Sequence, residues 1–140
     1  MKACAAWLSM ADVVDLDAEL AQVEDFWAPR TVGRVNDTLL KVVRVQGSFP
    51  EHRHEHEDEC FLVLDGTLTI DLDDGPRRIG AGQFLVVPKG ALHRPHCDGP
   101  VRLLLIEPAD TVQHGSAGAE AVAAARATAP GRSGPQETVK

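Results

Sequence analysis

Between Arg30 and Pro108 the chain is cut into short apolar runs by turn residues, and this rhythm restricts its folding more than any other feature. Thr38 to Gln46 alternates and carries apolar residues on both faces, so both sides of that strand are expected to be covered. Gly47 to Pro50 turns the chain. Cys60 to Leu64 closes at Asp65-Gly66, a hairpin signal, and Thr67 to Leu72 ends at Asp73-Asp74-Gly75-Pro76. Arg77 to Ile79 leads into Gly80-Ala81-Gly82, and Phe84 to Val87 stops at Pro88-Lys89-Gly90. His93 to Cys97 and Val101 to Glu107 complete the series, which Arg30 to Val35 opens. About eight strands with turns roughly every 8–12 residues predict an all-β sandwich or barrel. No helical stretch long enough for parallel crossovers lies between them.

The flanks differ. Residues 1–29 predict an N-terminal segment packed on the barrel of residues 30–110, with a short helix through Ala18–Val23 capped by Asp15 or Asp17. Phe26 and Trp27 would fasten it, and Pro29 would end it. Residues 111–140 shift to Ala, Gly, Pro and Ser and read as a flexible or partly helical tail, with the last ten residues mobile.

Bulk properties remove several function classes. The 140 residues carry a net charge of −7 and a pI near 5.3, which disfavours nucleic acid and anionic membranes as partners. No apolar run approaches the roughly 20 residues of a membrane span. The apolar stretch from Lys2 to Ala11 is broken by Ser9 and followed by Asp12 and Asp15, so a cleaved signal peptide is not expected. Cys4, Cys60 and Cys97 are odd in number and widely spaced, which fits free thiols in a reducing cytoplasm.

Chemistry concentrates in two places. His52 and His54 lie one residue apart, so an extended chain presents both rings on one face. Glu59 follows an acidic loop at the start of the next strand, and His93 comes from a distant hairpin. Three imidazoles and one carboxylate suit a single divalent transition metal: Fe, Mn, Ni, Zn or Cu. The alternatives are a solvated His-rich loop, Asp58 in place of Glu59, or a rival pair His54 and His56. Arg44 and Gln46 share a strand face and are candidate substrate-binding residues, since a guanidinium grips a carboxylate. Glu107, Lys89 and His96 read as surface groups.

These residues resemble the cupin family. Its first motif corresponds to Gly47, His52-Arg53-His54, Glu59 and Gly66, with four residues between Gly47 and His52 where five is usual. Its second corresponds to Gly82, Pro88-Lys89-Gly90 and His93, with Cys97 where Asn is usual. The match covers roughly residues 38 to 107, and the short spacer from Gly66 to Gly82 is similar to that of small bacterial single-cupin proteins. The resemblance implies a single jelly-roll β-barrel, often a homodimer, with a metal inside held by His52, His54, Glu59 and His93. Cys97 is expected to point inward as a small buried hydrophobe.

Fold does not fix function. The expectation is a metal-dependent isomerase or epimerase acting on a small keto or hydroxy acid or a sugar by Lewis-acid chelation. The alternatives are a non-haem iron dioxygenase and a non-catalytic module that binds a small ligand or metal.

Overall fold

The structure is a computed structural model and describes residues 11–128. The apolar stretch before Ala11, Cys4 and the expected mobile last ten residues lie outside the described residues. Seven strands follow a short helix: α1 (Leu16–Leu20), β1 (Arg30–Val35), β2 (Thr38–Ser48), β3 (Glu59–Asp65), β4 (Thr67–Leu72), β5 (Gly75–Gly80), β6 (Phe84–Val87) and β7 (Arg94–Pro108). A second helix, α2, spans Ala119–Thr128.

All strand pairs are antiparallel, in the order β1-β2-β7-β3-β6, with β4 pairing β5 and β7. The two strands expected at His93–Cys97 and Val101–Glu107 are one 15-residue strand. Asp98, Gly99 and Pro100 form an exposed stretch within it, next to the point where the β2–β7 register shifts between Val45 and Gly47. The turn residues thus produce an irregularity inside β7 rather than a break. The first part of β7 pairs β4 and the second pairs β3, while β2 runs beside both.

Strand parity builds the core. Val43 and Val45 of β2, Phe61 and Val63 of β3, and Val101, Leu103 and Leu105 of β7 belong to one buried cluster with Leu68, Ile70 and Ile79. The opposite face of β2 is also covered: Val42 packs with Leu20 and Val23 of the N-terminal segment, as its two-faced apolar pattern predicts. Asp15 caps α1, accepting from the amides of Asp17 and Ala18. Phe26 and Trp27 are buried and fasten this segment to the barrel. Gly66 sits at φ +94 in the β3–β4 turn, where a Cβ would lie 2.8 Å from the Pro100 carbonyl oxygen, so the turn requires glycine.

Candidate metal centre

His52 and His54 lie outside the named strands, in the connection before β3. Extension is imposed instead by pairing with the loop before β7. The His52 amide donates to the His93 carbonyl at 3.0 Å, the His93 amide returns a bond to His52 at 2.9 Å, and the Gly90 amide donates to the His54 carbonyl at 2.8 Å. The Pro88-Lys89-Gly90 turn therefore lays His93 alongside the histidine pair. Glu59, the first residue of β3, pairs with Val87 and shares its inward face with Phe61 and Val63.

All four side chains are buried, and one potential ligand atom from each lies within 4.8 Å of the others. The His52 and His93 ring centroids are 4.3 Å apart, and those of His52 and His54 are 4.9 Å apart. His52 Nδ1 lies 2.8 Å from the Pro50 carbonyl and His93 Nδ1 lies 3.0 Å from that of Ala91. Each Nδ1 must carry its proton to make that bond, which leaves Nε2 with a free lone pair in the neutral ring. Glu59 Oε1 is 3.2 Å from His54 Nε2 and 3.5 Å from His93 Nε2, close but not in hydrogen-bonding geometry.

Burial lowers the His52 pKa to about 4, and the neighbouring His93 and His54 rings add to this. The ring is therefore neutral near pH 7, the form a metal requires. Burial also acts on His54, but the Glu59 carboxylate outweighs it and raises the pKa. For Glu59, burial opposes ionisation, yet the imidazoles of His54 and His93 win and hold its pKa low.

This group could hold a metal ion. His54 Nε2, Glu59 Oε1 and His93 Nε2 are buried with no hydrogen-bond partner among the described residues. Buried polar atoms left unpaired cost stability, and a cation satisfies all three at once. First-row ions bind such ligands at about 2.0–2.2 Å, which places no two donors of one ion more than about 4.4 Å apart, so the four atoms, now within 4.8 Å of one another, would draw together on binding.

The competing residues are elsewhere. Asp58 is exposed and accepts from the Lys89 amide at 2.8 Å, and His56 is exposed. Cys97 is buried 3.7 Å from the Val45 carbonyl, and burial pushes its thiol up to about 11. His96 is half-buried and pairs with Asp71. Arg44 and Gln46, expected to bind substrate, are not brought to the cluster. They lie on the face of β2 opposite Val43 and Val45, where Arg44 donates to the Val23 carbonyl and stacks over Phe26. Gln46 donates to the Asp98 carbonyl. The N-terminal segment covers this face and occupies the guanidinium.

Sequence reasoning missed Glu107. It is 3 % exposed, paired with Lys41 Nζ at 2.6 Å, and burial followed by the nearby Glu59 charge raises its pKa. The available signal was parity: Glu107 continues the inward series Val101, Leu103, Leu105, and Lys41 continues Val43 and Val45.

Beside the cluster is a cavity of about 30 Å³, lined by His52, Glu59 and otherwise largely apolar groups, among them Trp27, Phe49, Phe61 and Leu105.

Comparison with known proteins agrees with this geometry. Residues 40–107 match the cupin domain family Cupin_2. A crystal structure of a cupin-2 domain containing protein from Shewanella frigidimarina superposes with TM-score 0.67 at 34 % identity, covering 69 % of this chain and 94 % of that one. The chain belongs to the cupin family. This cupin is also 33 % identical to the YdbB protein of Bacillus subtilis (strain 168) over 86 residues, 61 % of this chain and 76 % of that protein. It is 33 % identical to a Streptomyces cyaneus protein named polyketide synthase CurC over 67 residues, 47 % of this chain and 44 % of that protein. Among the described residues no helix is long and apolar enough to cross a membrane.

Proposed function

We propose that this cupin holds one divalent transition metal on His52, His54, Glu59 and His93 and acts on a small, largely apolar molecule with neighbouring oxygen donors. The observation that carries this reading is the set of three unpartnered buried donor atoms facing one another. A bound ion would supply Lewis-acid polarisation of the molecule's oxygens. The chain's own residues do the rest. The Pro50 and Ala91 carbonyls fix two imidazole tautomers, Glu59 adds negative charge, and Trp27, Phe49 and Phe61 exclude water.

The largely apolar wall supports this reading over a sugar or a free hydroxy acid. Such a molecule needs polar partners for every buried hydroxyl or carboxylate, and among the described residues Gln113 is the one polar side chain lining the cavity besides His52, Glu59 and the Trp27 indole. An isomerase acting on an apolar carbonyl compound remains the leading reaction class. A polyketide-type molecule, with carbonyl or enol oxygens on a carbon-rich frame, fits the wall and matches the name of the CurC relative. The homodimer implied by the family belongs to the same proposal.

Elemental analysis of protein purified without a His-tag tests the metal. About one equivalent per chain is expected, with most of it lost in His93→Ala. Cobalt-loaded protein should change its visible spectrum with a β-diketone and not with a sugar. Full metal content in His93→Ala, or no uptake of any first-row ion, overturns the reading.

A further inference from the structure

The cavity of about 30 Å³ has room for one or two waters, and its mouth is partly open. A larger molecule that is to sit against His52 and Glu59 therefore needs part of the wall to move. Much of that wall is continuous ladder: β2, β7 and β3 are hydrogen-bonded neighbours, backed by Val63, Leu68 and Ile70 with no exposure. The rest comes from Trp27 and Pro29, from Phe49 and His52 in the connection before β3, and from the chain after Pro108. Of these, Trp27, Phe49 and His52 are buried in the body of the barrel.

The chain after Pro108 folds back over the cluster. Gln113 lines the cavity. Gly115 lies flat against the site at φ +50, where an added Cβ would be 2.3 Å from the Arg53 carbonyl oxygen and 3.0 Å from the His52 ring. Ser116 and Arg53 exchange two bonds, amide to carbonyl at 3.0 Å and amide to hydroxyl at 2.9 Å. α2 then returns Arg126 to the mouth. Its Nε and Gln113 Nε2 both donate to the Trp27 carbonyl at 2.8 Å, and Arg126 Nη2 donates to Gln113 Oε1 at 2.7 Å. Only Val122 and Ala125 of α2 enter the core cluster.

Trp27 is built to receive this clasp. Its backbone sits at φ +62, a left-handed conformation that a bulky residue rarely adopts. Its amide donates to the Arg44 carbonyl and its indole to the Gln46 carbonyl, so its own carbonyl is left facing Gln113 and Arg126. A segment held chiefly by side-chain hydrogen bonds, with Val122 and Ala125 docked in the core and Thr111 buried, opens at lower free energy than the barrel unfolds.

We infer that residues 111–128 form a gate over the metal chamber, latched by Gln113 and Arg126 on the Trp27 carbonyl. This rests on the metal-centre reading for its purpose, though not for its test. The two tryptophans are Trp7 and Trp27, so Trp7→Phe makes Trp27 the sole reporter. In that background, acrylamide quenching of Trp27 is measured in full-length protein, alongside the rate at which EDTA extracts loaded cobalt.

Gln113→Ala/Arg126→Ala should raise both readouts at least about fivefold with the circular dichroism of the parent. Val112→Ala, an exposed change in the same segment, should leave them unchanged. Gly115→Ala should also raise both, by collision with Arg53 rather than loss of the latch. It decides the matter if the double variant fails to fold. Parental quenching in both folded variants overturns the gate. If the protein takes up no cobalt, the metal reading fails while quenching still judges the gate.

Discussion

Acidifying the metal-free protein tests how dry the candidate site is. His52 is 2 % exposed and its pKa falls from 6.5 to about 4, chiefly because burial penalises the charged ring. The unfolded chain takes up a proton near pH 6.5 while the folded chain refuses it until about pH 4. A depressed folded pKa means stability that is whole above 6.5 and lost as the pH falls through that window. The full loss is about 3 kcal/mol at roughly 1.4 kcal/mol per unit, of which about 2.5 kcal/mol is gone by pH 4.5. His54, with its raised pKa, acts in the opposite sense, so the wild-type slope alone is not diagnostic. His52→Gln removes one titrating group and keeps the others. Urea unfolding in EDTA at pH 7.5 and 4.5 should show the variant losing about 2–3 kcal/mol less than wild type over that interval. A difference under about 1 kcal/mol would refute the argument that burial keeps this ring neutral.

Two further outcomes follow from the same structure. Gly82→Ala meets only the strain of φ +83, with nothing within 4 Å, and should cost about 1–2 kcal/mol; Gly66→Ala adds collision with Pro100 and Val101 and should cost about 3–5 kcal/mol by thermal unfolding. Equal costs would refute the packing account of the Gly66 turn. The Cys97 thiol, buried and pushed up to about 11, should react with a thiol reagent at pH 8 only on unfolding, so prompt labelling followed by mass spectrometry would contradict its placement.

The barrel was legible because its short apolar strands are bounded by turn residues at regular intervals. The positions of Glu59 and His93 followed from motif spacing. What escaped the sequence has a common physical cause. Strand parity assigns two faces but does not say what covers the outer one. Arg44 and Gln46, read as substrate-binding residues, lie away from the cluster, with Arg44 engaged by the N-terminal segment and Gln46 by the Asp98 carbonyl. Glu107 looked like a surface group because a carboxylate is ordinary there, and its inward register and pairing with Lys41 explain its burial. The Ala-rich stretch after Gly118 offers little bulk, so composition alone could not reveal that Val122 and Ala125 dock.

The long strand β7 has a consequence for biosynthesis. Among the described residues it is the last strand made, yet it separates β2 from β3 and also pairs β4. While residues 30–93 emerge from the ribosome, β2 and β3 each wait with an unsatisfied side, and the barrel has no seam to close around. Pairings this distant in sequence favour slow folding, and open strand edges invite association between nascent chains. Since His93 immediately precedes β7, one late event both closes the barrel and completes the candidate metal cluster.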